Sequence, residues 1–291
     1  MLILISDAFD NSLSDSISKF GEITNDKSRI SEAEVVLIRS KTKVTKEYID
    51  SAPNLKLVIR GGVGLDNVDR EYASKRGIAV HNTPAASAIA VAECAFTLMI
   101  GLANHIGIAD SSMRDGKWIK KELKRTELYK KTLGIIGLGR IGTELAKRCV
   151  AFGMTVVAFD PFIQSSTYAE MKPEMKNVLN ISDYISLHLP LIDSTRGIIN
   201  SETLKEFKDG SFLINTGRGK TIIEEDVADA LQSGKLAGFG NDVWYSDPPE
   251  ANHFANLPNV LMMPHLGAST KENLLRIGEI VENTISEYVN N

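Results

Sequence analysis

The sequence predicts an α/β protein built as two doubly wound parallel-sheet domains. Three observations carry that expectation. Short β-branched or apolar runs alternate with helical stretches along the whole chain, the pattern of parallel strands covered by helices. The runs fall into two series, separated by a long apolar segment and a charged one. A length of 291 residues exceeds what one ordinary core accommodates and favours two domains.

The first series has strands near Leu2–Ile5, Val35–Ile38, 57–59 and 78–80, each followed by a polar or helical connection. The second has strands near 133–136, Thr155–Phe159, Tyr184–Leu187, 211–214, 238–242 and Val260–Met262, enough for a full doubly wound sheet. Residues 85–109 between them are apolar, but Glu93 sits in the middle and Ala and Gly outnumber Leu and Phe. A buried helix is expected there, not a membrane span. The charged stretch 114–131 reads as a solvated connection. After Pro264 the chain turns amphipathic and helical, too short for a separate domain. It is expected to pack back on the first domain, which gives a discontinuous domain of 1–82 and 269–291, an inserted domain of 83–268, and an active-site cleft between them.

Composition narrows the function classes. Apolar residues make up 43% and charged residues 24%, in the globular range. A net charge of -4 points to neither a nucleic-acid nor a membrane-surface partner. Cys94 and Cys149 show neither CxxC nor CxxH spacing, so both are expected as buried, reduced thiols, with no metal site. Residues 1–7 lack the basic flank and small-residue cleavage site of a signal peptide, and a cytoplasmic location is expected.

Gly137, Gly139 and Gly142 form GxGxxG directly after a strand and at the start of a helical stretch, with Asp160 closing the next strand about 20 residues on. In that context the first glycine permits a tight turn, the second lets a pyrophosphate approach the backbone, and the third brings helix and strand together. The helix N-terminus offers free N–H groups and a positive dipole end. A dinucleotide is the expected ligand. Asp160 suits hydrogen bonds from the ribose hydroxyls and repels a 2′-phosphate, so NAD is expected over NADP, and the same side chain can also close the turn before Pro161. The second domain is therefore expected to be a Rossmann domain and the first a flavodoxin-like, substrate-binding one.

Hydride transfer to or from a hydroxy acid requires an anion anchor, a base for the hydroxyl proton and a partner for the base. Arg218, in Asn215-Thr216-Gly217-Arg218-Gly219 after the fourth strand, can hold a carboxylate through two parallel N–H bonds. His265 follows the sixth strand ahead of a glycine turn, and histidine ordinarily exchanges a proton near neutrality. Asp242 and Asp247 follow the fifth strand, and either can pair with the imidazole. Gly61-Gly62-Val63-Gly64 presents successive backbone N–H groups suited to a carboxylate. Arg39 and Arg60 end adjacent strands of the first domain, and two such cations suit a phosphorylated substrate better than lactate or glyoxylate.

These residues together resemble the D-isomer-specific 2-hydroxyacid dehydrogenases. The likeness runs from Leu37-Ile38-Arg39-Ser40-Lys41-Thr42 through Arg60-Gly61-Gly62-Val63-Gly64-Leu65-Asp66-Asn67-Val68-Asp69, Asn82-Thr83-Pro84, the glycine motif and His188-Leu189-Pro190 to Pro264 through Glu272. It covers nearly the whole chain and is strongest to the branch acting on D-3-phosphoglycerate. The resemblance implies that Arg218 binds the substrate carboxylate and carbonyl, that His265 is the acid/base, and that Asp247 is its partner. The family usually has glutamate at the last position, so the shorter aspartate is expected to stand about one C–C bond, ~1.5 Å, further back unless the backbone shifts, and to form a weaker pair. It further implies cofactor contacts from Arg140, Ile141, Pro161, His188, Leu189, Pro190, Thr195, Thr216, Gly217 and Gly267, with Asp242 on the nicotinamide amide. Substrate contacts are implied for Arg39, Arg60, Val63 and Gly64. A homodimer is implied, with 85–109 and 114–131 as candidate interface, and no serine-feedback domain is expected. A glyoxylate or hydroxypyruvate reductase and an NAD-sensing corepressor are the alternative expectations.

Overall fold

The computed structural model describes residues 1–290. Its contacts divide the chain into two units, Met1–Ala88 with the segment from Ala268 onward, and Ile89–Gly267.

The first unit holds a parallel five-stranded sheet of order β2-β1-β3-β4-β5. Its elements are β1 (Leu2–Ile5), α1 (Ser12–Ile17), β2 (Glu22–Thr24), β3 (Val35–Ile38), α2 (Lys46–Asp50), β4 (Leu57–Arg60), α3 (Arg70–Lys75) and β5 (Ala79–Asn82). β1 and β3 are unbroken apolar runs, buried throughout, because helices cover both faces of a parallel sheet. Ile3, Ile5, Val35, Leu37, Leu57 and Ile59 pack on one face with Leu13 and Ile17 of α1 and with Ile277, Val281 and Ile285, one stripe at four-residue spacing on the C-terminal helix. Leu4, Val36, Ile38 and Val58 pack on the other face with Ile49 and Ala73. The three-residue β2 was not among the expected strands. It is a short, largely solvent-facing edge paired to β1 (Leu2↔Glu22), and such an edge leaves no apolar signature.

The second unit holds α4 (Ala88–Ala103), α5 (Ile106–Arg114), β6 (Thr132–Ile136), α6 (Arg140–Ala151), β7 (Thr155–Phe159), β8 (Glu170–Met171), α7 (Met175–Leu179), β9 (Tyr184–Leu187), α8 (Ser201–Lys205), β10 (Ser211–Asn215), α9 (Glu224–Gln232), β11 (Leu236–Asn241) and β12 (Val260–Met262). The strands form a parallel seven-stranded sheet of order β12-β11-β10-β9-β6-β7-β8. The chain runs outward from β6 through β7 to β8, returns to β9 on the other side of β6, and then runs outward to β12. The reversal leaves a crevice at the C-terminal ends of β6 and β9, where ligands of such sheets bind.

The single helix expected over 85–109 is two helices bent by 64°. Asn104 donates its side-chain amide to the Ile100 carbonyl (2.7 Å), and His105 adopts a left-handed φ of 51°, which ends α4. Among the described residues no single helix is long and apolar enough to cross a membrane. Residues 115–131 form no regular helix or strand. Cys149 is buried, Cys94 only partly so, and both are free.

Candidate active site

The glycine turn lies between β6 and α6. Gly137 has φ of 93°, and a Cβ there would come 2.7 Å from the His188 carbonyl oxygen. A Cβ on Gly142 would stand 2.5 Å from the Gly137 oxygen, so only hydrogen lets α6 start against the turn. A Cβ on Gly139 would meet nothing within 4 Å, and this N-cap residue offers no side chain to the first amides of α6. Asp160 closes the turn from the end of β7, accepting the Leu138 N–H (2.8 Å) and the Phe162 N–H (2.9 Å). Its carboxylate therefore fixes the loop before any ligand is considered.

Two further polar atoms lie at the same edge of the sheet. Thr216 Oγ1, just beyond β10, and His188 Nδ1, just beyond β9, are buried with no protein partner. The other ring nitrogen of His188 lies 2.9 Å from Ser186 Oγ, and burial pushes the imidazole down to about 4, so the ring is neutral at ordinary pH. Thr195 Oγ1 donates to the Pro190 carbonyl (2.6 Å) and accepts the Ile192 N–H (2.9 Å), which shapes the 190–195 loop beside Leu189. A Cβ on Gly217 would stand 3.2 Å from the Leu187 oxygen and 3.3 Å from that of Leu189. An uncapped helix start, a cradle open above Gly139 and two unpartnered buried polar atoms together fit a bound dinucleotide.

The acid-base candidates converge in this unit. His265 Nδ1 lies 2.5 Å from Asp247 Oδ2, with both side chains partly open to solvent. The expected gap at the shorter aspartate does not arise. The turn carrying Asp247, held by Ser246 Oγ donating to the Pro248 carbonyl (2.8 Å), brings the carboxylate to the ring. His265 has a left-handed φ of 57°, sparsely populated for a side chain of this size, and the turn after it is strapped down. The strap is Asp242, 1% exposed, which accepts Leu266 N–H at 2.6 Å and Gly267 N–H at 2.8 Å. Burial raises its pKa against the opposing pull of those two amides.

Arg218 stands on a turn braced by Asn215, whose carboxamide accepts the Gly217 N–H (3.1 Å) and donates to the Arg218 carbonyl (3.1 Å). The guanidinium donates from Nη1 to the Gly217 carbonyl (2.7 Å). This turn packs on the one carrying Asp247: a Cβ on Gly219 would lie 2.2 Å from the Trp244 carbonyl, and Tyr245 donates its hydroxyl to the Ile222 carbonyl (2.8 Å). Trp244 Nε1 in turn donates to the Met263 carbonyl, just before His265 (3.0 Å). Asn215, Trp244 and Tyr245 were not singled out from sequence. The signal available was their place within two or three residues of Arg218 and Asp247.

The first unit carries the remaining candidates. Arg39, past the end of β3, donates its backbone N–H to Asp7 Oδ2 (2.6 Å) and Nη2 to the Ala268 carbonyl (3.4 Å), while its Nε is buried with no protein partner. Burial lowers its pKa, opposed by Asp7. The Arg60 guanidinium folds over Gly62, where a Cβ would come 2.1 Å from Nη1. The Val63 carbonyl accepts the Asn82 side-chain amide (2.5 Å), which fixes the glycine-rich turn that ends in Gly64.

Residues 96–267 match the family model of the D-isomer specific 2-hydroxyacid dehydrogenase, NAD binding domain. A hydroxypyruvate reductase of Thermotoga maritima is 46% identical over 262 residues, 89% of this chain and 86% of that protein. A D-3-phosphoglycerate dehydrogenase of Methanocaldococcus jannaschii is 41% identical over 265 residues, 90% of this chain but 51% of that protein. The chain thus spans about half the length of that relative. Among solved structures, the D-lactate dehydrogenase of Aquifex aeolicus, complexed with NAD and lactic acid, superposes with a TM-score of 0.89 at 28% identity, covering 100% of this chain and 96% of that one. With the NAD-binding domain model matched over more than half of the chain, the chain belongs to the D-isomer-specific 2-hydroxyacid dehydrogenase family.

Proposed function

We propose that the chain oxidises D-3-phosphoglycerate to 3-phosphohydroxypyruvate with NAD. The observation that carries the dehydrogenase chemistry is the His265–Asp247 contact, 2.5 Å, in the unit that also holds the uncapped glycine turn. Bound NAD supplies the hydride acceptor. Gly137, Gly139 and Gly142 with the first amides of α6 would hold its pyrophosphate, Asp160 its ribose, and Asp242 its nicotinamide amide. Thr216 Oγ1 and His188 Nδ1 are free to contribute further polar contacts.

With Nδ1 of His265 committed to Asp247, the opposite ring nitrogen, Nε2, takes the hydroxyl proton of the substrate. Asp247 stabilises the imidazolium that results, and the same pair runs backwards in reduction. Arg218 binds the substrate carboxylate and stabilises charge on the reacting oxygen, an effect commonly worth ~3 kcal/mol. The Gly61–Gly64 turn contributes backbone N–H groups, and Arg39 and Arg60 bind the phosphate. The buried Nε of Arg39, without a protein partner, supports an anionic ligand there.

A second reading, reduction of hydroxypyruvate or glyoxylate, is favoured by the Thermotoga relative, of which the chain covers 86%. A parallel screen following NADH at 340 nm separates the two: 3-phosphoglycerate oxidised in preference, and lost in Arg39→Ala, supports the first. Hydroxypyruvate reduced with unchanged efficiency by Arg39→Ala supports the second. We take the active form to be a homodimer, which light scattering checks.

A further inference from the structure

Asn241 ends β11 immediately before Asp242, is 0% exposed, and has neither its amide nitrogen nor its carbonyl oxygen bonded to the protein. Burying a carboxamide without partners is costly, and both ends of this one are unmet however the amide is turned. An apolar side chain of the same volume would avoid that cost. The position therefore carries a polar group for a reason other than packing.

Its surroundings indicate the reason. Asn241 pairs in register with Asn215 of β10. Strand alternation puts Asn241 on the face of Phe239 and Asn215 on that of Leu213, and both apolar residues belong to one core cluster. The two asparagines thus stand side by side at the C-terminal edge of the sheet. Asn215 is fully engaged in bracing the Arg218 turn, through the Gly217 N–H, the Arg218 carbonyl and Thr221 Oγ1. Asn241 ends the neighbouring strand six residues before Asp247, as Asn215 ends its own three before Arg218. The backbone N–H groups of Val243, Trp244, Tyr245 and Ser246 donate to none of the described residues. Met263 donates its N–H to the Asn241 carbonyl (2.8 Å), so the residue also touches the segment leading to His265.

We propose that Asn241 is a positioning residue: its carboxamide holds an internal water that hydrogen-bonds the backbone at the start of the Asp247 turn and so sets the approach of Asp247 to His265. The water accepts from Nδ2 or donates to Oδ1, and accepts the N–H of Val243, the buried residue of the 243–246 segment. Asn215 and Asn241 then act as a matched pair, one bracing the Arg218 turn directly and the other bracing the Asp247 turn through solvent. This role rests on the acid-base reading of His265 and Asp247, but the water and its site do not.

The test is Asn241→Leu, with Asn241→Asp as the conservative variant that keeps an acceptor in the same volume. Expected for Asn241→Leu are a melting temperature equal to or above that of the wild type and KM for NAD within about twofold. Its kcat should be lower by about tenfold, the size of effect a small misplacement of a catalytic group produces, and its pH–rate profile displaced. Asn241→Asp should recover part of the loss. A crystal structure of the wild-type protein should show an ordered water within hydrogen-bond distance of the Asn241 amide, absent in Asn241→Leu. Wild-type kinetics in Asn241→Leu, or a wild-type crystal structure with no such water, overturns the proposal. If Asn241→Leu does not fold, the wild-type crystal and the Asn241→Asp profile decide the matter alone. Failure of the wild type to turn over any 2-hydroxy acid would strike the functional reading and leave the crystallographic test of the water standing.

Discussion

Gly267 donates its backbone N–H to Asp242 Oδ2 at 2.8 Å, and a Cβ on that glycine would stand 2.9 Å from the same oxygen. The carboxylate is buried and already held by Leu266 N–H, so it has little room to give. Gly267→Ala should therefore push apart the two ends of the strap that fixes the turn after His265. The other neighbours of that Cβ, Val91 at 3.6 Å and Cys94 at 3.7 Å, are ordinary contacts, and the fold should survive. We expect kcat to fall by about tenfold while the melting temperature drops by only a few degrees. Steady-state kinetics beside thermal melts check this, and an unchanged kcat would remove Asp242 from any positioning role.

Asp247 supplies the second prediction. Asp247→Asn keeps the shape of the turn but replaces the carboxylate facing His265 Nδ1 with a neutral amide, so the imidazolium formed in oxidation loses its counter-charge. We expect kcat for oxidation to fall by about a hundredfold or more, within the range for general acid-base catalysis, with a displaced pH–rate profile. Asp247→Glu is equally informative. The aspartate already reaches the ring at 2.5 Å, so a side chain longer by ~1.5 Å must bend away. Its activity should lie between those of the wild type and Asp247→Asn, although the family usually carries glutamate there.

Much of this was legible in the sequence because the signals were physical and local. The continuous apolar runs of β1 and β3 could only be strands covered on both faces, and the glycine spacing after β6 demanded a turn too tight for side chains. The short edges β2 and β8 were not legible, since two or three residues on a solvated edge need no apolar pattern. The break after α4 depended on one left-handed histidine in an otherwise continuous helical stretch. In the site, Arg218 and His265 were singled out by residue type and place, whereas the choice of Asp247 over Asp242 came from the family resemblance. The reach of Asp247 depended on the path of the backbone turn, which residue type does not give. Asn241 was passed over because a strand-end asparagine looks like any turn former until its burial is known.

His188 gives a pH dependence of stability. Its folded-state pKa is pushed down to about 4 from 6.5 by burial, so between those values the unfolded chain binds a proton that the native ring refuses. Stability is therefore unaffected above about pH 6.5, falls as pH drops toward 4, and loses nothing further from this group below that. The one-proton difference sets an upper limit of ~1.4 kcal/mol per pH unit on the slope, and because the residue as a whole is only partly buried less than that is expected. Denaturant unfolding of the wild type and His188→Asn at pH 7.5, 6 and 5 isolates the contribution. Parallel stability curves for the two proteins would exclude it.

Gly137 and Gly139 are two residues apart in one motif, yet the structure predicts opposite consequences for the same substitution. At Gly137 an alanine meets both a φ of 93° and the His188 carbonyl at 2.7 Å, and neither is relieved by a side-chain rotation. Gly137→Ala should destabilise the protein by roughly 1 to 3 kcal/mol, visible as a lowered melting temperature without any ligand. At Gly139 the Cβ enters open space, with no atom within 4 Å and an extended φ of -66° that alanine adopts freely. Gly139→Ala should fold and melt like the wild type. If that space is where the pyrophosphate approaches the first amides of α6, the added methyl stands in its path, and KM for NAD should rise by about tenfold or more. Calorimetry of NAD binding to the folded variant measures this directly. Unchanged affinity would place the dinucleotide elsewhere, while a loss of stability at Gly139 would mean that the glycine serves the fold and not the ligand.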